Sequence, residues 1–191
     1  MPGELTTAEL LGEETAPIGR PAPGAPFDVV FLDRDGTLNV HRPGYIADPA
    51  ALELLPGAAE AVRRCNAAGC AVVLVTNQRG MATGQLSRAQ LLAVHRALAE
   101  RLGAAGAHLD AIQVCPHQTG TCDCRKPLPG LLLRAFARAG WARPARCVLI
   151  GDQPGDLEAA AAAGVPSYRV GPEVPLLDVV RHIVSGSQRT V

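Results

Sequence analysis

Lysine is almost missing from this sequence. Lys and Arg together number 18, yet Lys126 is the single lysine among them. Aromatic residues are scarce at 3%, so the stacking surfaces that hold single-stranded nucleic acid are lacking. Neither sign of charge is in excess, because 18 basic residues balance 18 acidic ones. That balance argues against a broad electrostatic footprint for nucleic acid or an anionic membrane. No apolar run reaches the length of a bilayer span, and the N-terminus has no basic stretch leading into an apolar one. The expectation is a cytoplasmic, monomeric protein with a small-molecule partner and neither nucleic acid nor membrane.

What is present is aliphatic. Hydrophobic residues make up 48% of 191 residues, enough for one substantial core in one domain. Residues 1–26 carry Pro2, Pro17, Pro21, Pro23 and Pro26 among small residues. They read as a flexible N-terminal extension with a helical turn near residues 7–11, and 27–191 as a single domain. Six cysteines in such a chain are metal ligands or buried thiols before they are disulfides.

Strands and helices alternate after the extension. Short apolar, β-branched runs at 29–32, 70–75, 111–114, 147–150 and 165–170 predict buried strands. Between them lie helical stretches at 57–68, 87–102, 129–139 and 156–163. Ser87 with Gln90 three residues on is a capping box. This alternation predicts an α/β fold of three layers, a central parallel sheet between helices.

Polar residues gather just past the strand ends. Asp33, Asp35 and Gly36 follow the first, Thr76 and Asn77 the second, and Asp152 the fourth. In open α/β sheets ligands bind outside those ends. Taken alone, Asp-x-Asp-Gly is also what an aspartate-glycine turn capping a strand looks like. Together the residues describe phosphoryl transfer. Asp33 attacks phosphorus as a carboxylate nucleophile and forms an aspartyl-phosphate. Asp35 protonates the leaving alcohol and later deprotonates water. Asp33, Asp35 and Asp152 supply the Mg²⁺ shell, since a hard cation offsets the cost of burying carboxylates. Thr76 and Lys126 hold the phosphoryl oxygens as charge develops. Asp156, four residues after Asp152, orients that shell or merely caps a helix.

A second constellation is Cys115-Pro116-His117 with Cys122-Asp123-Cys124. Three thiols and one imidazole suit a closed, structural zinc site. A redox-active or incidental cysteine cluster is the competing reading. Cys65, Cys70 and Cys147 read as small buried hydrophobes.

The succession Asp-Arg-Asp-Gly-Thr, Thr-Asn, Lys and Gly-Asp-x-x-x-Asp resembles the haloacid-dehalogenase (HAD) superfamily of phosphatases from Phe27 to about Val170. The resemblance implies a Rossmann-like sheet, Mg²⁺ dependence and an aspartyl-phosphate. Both intervals where that superfamily inserts a cap hold only core elements here, so a capless enzyme is expected. Cys-Pro-His followed by Cys-Asp-Cys-Arg-Lys-Pro narrows the likeness to the D,D-heptose 1,7-bisphosphate phosphatases and the related histidinol-phosphate phosphatases. By that resemblance Arg125 recognises substrate, and Lys126 stabilises the transferring group. Tyr45, Asn77, Arg79 and Gln153 complete the expected substrate contacts. Arg79, Thr83 and Gln153 depart from residues common in that family, and they bear on the sugar rather than the chemistry. The expected activity is hydrolysis of a phosphorylated sugar, a heptose bisphosphate first and histidinol phosphate second. A zinc-stabilised binding module with an inactive core is the reading from another class. It would lack one of Asp33, Asp35, Lys126 or Asp152, and all four are present.

Overall fold

The structure, a computed structural model, describes residues 5–186. Its centre is a parallel sheet of β1 (Val29–Leu32), β2 (Ala71–Asn77), β3 (Ala111–Cys115), β4 (Cys147–Gly151) and β5 (Ser167–Arg169). The order is β3-β2-β1-β4-β5, with Val29 in register with both Ala71 and Cys147. All of β1 is buried. Its side chains alternate between two cores because successive residues of a strand face opposite ways. Val30 and Leu32 pack with Val62, Leu91, Leu98 and Val180 on one face; Val29 and Phe31 meet Leu131, Ala135 and Ala159 on the other.

Among the described residues, six α-helices supply those layers. α1 (Thr7–Leu10), α2 (Ala58–Ala67), α3 (Arg88–Ala104) and α6 (Leu176–Gly186) cover the first face; α4 (Gly130–Arg138) and α5 (Pro154–Ala162) cover the second. The Ser87–Gln90 capping box opens α3 as its sequence predicts. No cap is inserted among the described residues. Helix α6 was not expected, although Leu176, Val179, Val180 and Ile183 are buried at helical spacing and the helix packs on α2. Strand β5 is shorter than the predicted 165–170, since it pairs only along β4 at the sheet edge.

The N-terminal extension needs a correction. Its first four residues lie outside the described residues, but residues 5–26 are strapped across the domain rather than free. Glu9 is buried, and its Oε1 accepts from the Ile112 amide at 2.7 Å. That bond occupies an otherwise unpaired donor of the edge strand β3. Arg138 grips the same carboxylate with both Nη atoms and donates from Nε to the Ala16 carbonyl. Farther along, the Ile18 and Ala22 amides donate to the carbonyls of Arg138 and Gly69. A buried, charge-assisted fork holds this proline-rich segment where composition alone suggested freedom.

Candidate active site

The chain runs from β1 outward to β2 and β3, then crosses back to β4 on the other side of β1. That reversal opens a crevice at the carboxyl ends of the strands. There a cavity of about 330 Å³ is lined by Asp33, Asp35, Thr76, Arg125 and Lys126, with Tyr45 at its wall.

Lys126 is the hub. Its buried ammonium donates to Asp33 Oδ1 at 2.6 Å and to the Val75 carbonyl at 2.8 Å, and pairs with Asp156 Oδ1 at 2.6 Å. All three of its donors are thereby engaged. Burial opposes the charge on Lys126, but Asp33 and Asp156 outweigh it and raise its pKa. Burial pushes the Asp33 carboxyl up to about 6, with Lys126 pulling against it. The Lys126 ammonium thus helps keep this buried carboxylate anionic at neutral pH.

Asp35 faces differently. Burial would raise it, yet the Arg34 guanidinium and hydrogen bonds from Asn39 and Gln78 hold it below its ordinary value. Arg34 Nη2 reaches both carboxylate oxygens, at 2.8 and 3.0 Å. The Asp35 side chain is thus committed to these donors. The acidic side chains that converge on one point are Asp33, Asp152 and Asp156, whose ligand atoms lie within 4.8 Å of one another. Of the expected magnesium set, the side chains of Asp33 and Asp152 belong to this cluster, while the Asp35 side chain faces Arg34. Asp156 is itself engaged, by Lys126 on one oxygen and by the Gln153 amide at 3.0 Å on the other. It both caps α5 and orients the cluster.

Asp152 Oδ1 is buried without a partner, while Gln153 Nε2 donates to Oδ2. Gly36, at φ +88°, passes so close that a Cβ there would strike the Asp152 carboxylate. Only glycine lets the first loop meet that group. Asp33 and Asp152 with an orphaned oxygen between two strands fit a hard divalent cation that completes its shell with phosphate oxygens.

The remaining expected residues fall into two groups. Thr76 accepts from Gln78 Nε2 at 2.8 Å, which leaves its own hydroxyl proton to be given elsewhere. Arg125 lines the cavity, and its buried Nη1 has no partner. Gln153 and Tyr45 also line it. Asn77 lines it too, and its side chain is bonded to the backbone: it donates to the Lys126 carbonyl at 3.0 Å and accepts from the Lys126 amide at 3.1 Å. It therefore sets the position of the lysine. Arg79 is exposed and donates to the Tyr45 hydroxyl at 3.3 Å, outside the cavity lining.

Arg34, Asn39 and Gln78 were not singled out from the sequence. Arg34 is 1% exposed, and no local pattern separates a buried arginine from a surface one.

Beside the crevice, the ligand atoms of Cys115, His117, Cys122 and Cys124 lie within 4.8 Å of one another. Cys115 Sγ is 3.7 Å from Cys122 Sγ, and His117 Nδ1 is 3.3 Å from Cys124 Sγ. A tetrahedron of ligands around zinc has thiolate–thiolate edges of about 3.8 Å, so the Cys115–Cys122 separation matches one edge of a zinc site.

A family model for haloacid dehalogenase-like hydrolases matches residues 38–164. The chain is 40% identical over 147 residues to a D-glycero-β-D-manno-heptose-1,7-bisphosphate 7-phosphatase of Rhodopseudomonas palustris, covering 73% of this chain and 81% of that one. It is 39% identical over 149 residues to the α-anomer-named phosphatase of Mycobacterium tuberculosis, covering 74% and 78%. Among solved structures, it superposes on the D,D-heptose 1,7-bisphosphate phosphatase of B. bronchiseptica, complexed with magnesium and phosphate. That match has TM-score 0.77 and 33% identity, and covers 83% of this chain and 98% of the other.

Proposed function

The chain belongs to the haloacid dehalogenase-like hydrolases, as a phosphatase, and from that premise we propose that it removes one phosphate from a D-glycero-D-manno-heptose 1,7-bisphosphate. The observation that carries the substrate is Arg125, a guanidinium side chain that lines the cavity already holding the phosphoryl chemistry and whose Nη1 has no partner. A second anionic group on the substrate satisfies it. Relatives named for either anomer match almost equally.

The reaction follows from the side chains. An Asp33 carboxylate oxygen forms a bond to phosphorus as the ester C–O–P oxygen leaves, and Asp35 gives that oxygen its proton. In the free site Asp35 is anionic; the dianionic ester beside it raises its proton affinity so that it enters the cycle protonated. Water then attacks the acyl-phosphate, passes a proton to Asp35, and releases phosphate and the Asp33 carboxylate. Lys126 and the Thr76 hydroxyl hold phosphoryl oxygens throughout. Asp33, Asp35 and Asp152 would hold Mg²⁺, which when bound would supply charge neutralisation for the carboxylates and the phosphate. Residues 5–186 act as one monomeric catalytic domain, with the strap included. Cytoplasmic placement is part of the same reading, supported by six cysteines, none of them in a disulfide.

The test is Arg125→Ala assayed on the bisphosphate and on a heptose monophosphate. Losing one charge-assisted contact costs about 1.5–3 kcal/mol, a fall of about ten- to a hundredfold in kcat/KM on the bisphosphate alone. Equal losses on both substrates overturn the substrate assignment and leave the reaction class standing.

A further inference from the structure

A buried chain of hydrogen bonds joins the N-terminal strap to Asp35, and the reaction as described makes no use of it. His95, on α3, is fully buried. Its Nδ1 lies 2.6 Å from the Leu10 carbonyl oxygen, which can only accept. Its Nε2 lies 3.1 Å from Arg34 Nη1, which can only donate. Both neighbours demand the same tautomer, with the proton on Nδ1 and a lone pair on Nε2. Burial, reinforced by the Arg34 charge, pushes the imidazole down to about 3 and keeps the ring neutral.

Arg34 therefore has two engaged edges. Nη1 is spent on His95, while Nη2 and Nε grip Asp35 at 2.8, 3.0 and 3.3 Å. A guanidinium has no acceptor of its own and is costly to bury with a donor unmatched. Take His95 away and Arg34 has reason to turn toward another acceptor, releasing the carboxylate it orients. The strap is fixed on the other side of Leu10 as well, because Glu9 is pinned to Ile112 and Arg138. The carbonyl that selects the imidazole tautomer is thus held in place by one neighbouring residue.

We propose that His95 is a positioning residue for Asp35, acting through Arg34, and that the strap's Leu10 carbonyl belongs to the active-site scaffold. This rests on the reading of Asp35 as the proton-transfer group.

The experiment compares wild type, His95→Leu and His95→Gln in the Mg²⁺- and zinc-loaded protein, with ¹⁵N spectra of the wild-type histidines. The substrate is p-nitrophenyl phosphate as well as the heptose bisphosphate. His95→Leu lowers kcat by about ten- to a hundredfold, the usual effect of losing an outer partner of a site, with KM changed by less than about twofold. The amide of His95→Gln can donate to Leu10 and accept from Arg34, so it restores kcat to within about fivefold of wild type. The wild-type spectrum shows Nε2 of His95 without a proton. A folded His95→Leu with wild-type kcat, equal losses in both variants, or a proton on Nε2 overturns the proposal. Should His95→Leu fail to fold, His95→Gln and the wild-type spectrum decide it. The p-nitrophenyl arm reports Asp35 as the base toward water, since p-nitrophenolate leaves without a proton, and it needs no heptose, so failure of the heptose reading leaves it intact. Undiminished turnover by Asp35→Asn would instead mark failure of the Asp35 assignment.

Discussion

At the scale of single residues, Asp33 is under the greatest tension. A nucleophile must be an anion, yet burial pushes this carboxyl from 3.8 up to about 6. Asp33→Asn removes the attacking oxygen and is expected to lower kcat by roughly 10⁴-fold or more, with the far-UV spectrum unchanged. The raised value also sets a pH dependence. In the metal-free protein the native state holds a proton that the unfolded state has lost between about pH 4 and pH 6, so stability falls as pH rises through that window. A bound divalent cation favours the anion and reverses the trend. Mg²⁺ is expected to raise Tm at about pH 7.5 and to have little effect at about pH 4.5. Equal gains at both values, measured by scanning calorimetry, would refute a cation on Asp33.

At the scale of elements, the zinc loop between β3 and α4 and the end of β2 act on one target. Cys124 is buried in the core, and Lys126 follows it by two residues. From the other side, the Asn77 side chain clamps the Lys126 backbone in both directions. Metal held by the loop would therefore help fix where the ammonium sits without touching substrate. Burial pushes the Cys124 thiol up to about 12, so zinc loading must displace a proton and weakens as pH falls. Elemental analysis is expected to find about one tightly held zinc per chain, apart from exchangeable Mg²⁺. Stripping it should increase hydrogen exchange over residues 115–124 and lower kcat more than it alters KM. Protein purified without chelators and free of zinc would remove this account.

At the scale of the whole molecule, the strap ties both faces of the sheet to the chain's beginning. Glu9 reaches β3 on the edge of the sheet, and Ile18 packs into the core under α4. Trp141 donates to the Ile18 carbonyl at 3.1 Å. These bonds predict that amides of Ile18 and Ala22 exchange with the slow core rather than with a free tail. Exchange of residues 5–26 at the rate of an unfolded peptide would contradict the packing. Exposed large hydrophobics among the described residues are few, namely Leu128, Leu133, Tyr168 and Val174. A sedimentation mass near 19.8 kDa is the expected result for a monomer.

By itself the sequence determined what depends on neighbours a few residues away. Apolar runs made the strands, Ser87 and Gln90 made a helix start, and paired spacings gathered the cysteines. The carboxylates and the lone lysine were legible because strand ends in a parallel sheet meet at one edge, whatever the loops do. Helix α6 was legible in its spacing and was missed. Only the tertiary structure decided which partner each polar side chain takes. Asp35 turned to Arg34, Asn77 turned to the Lys126 backbone, and the strap was fixed by residues far along the chain. Leu10 meets His95 across 85 positions, and Glu9 meets Arg138 across 129. A buried charge is stable only beside the group that satisfies it, and no local pattern in the strap names a partner that distant.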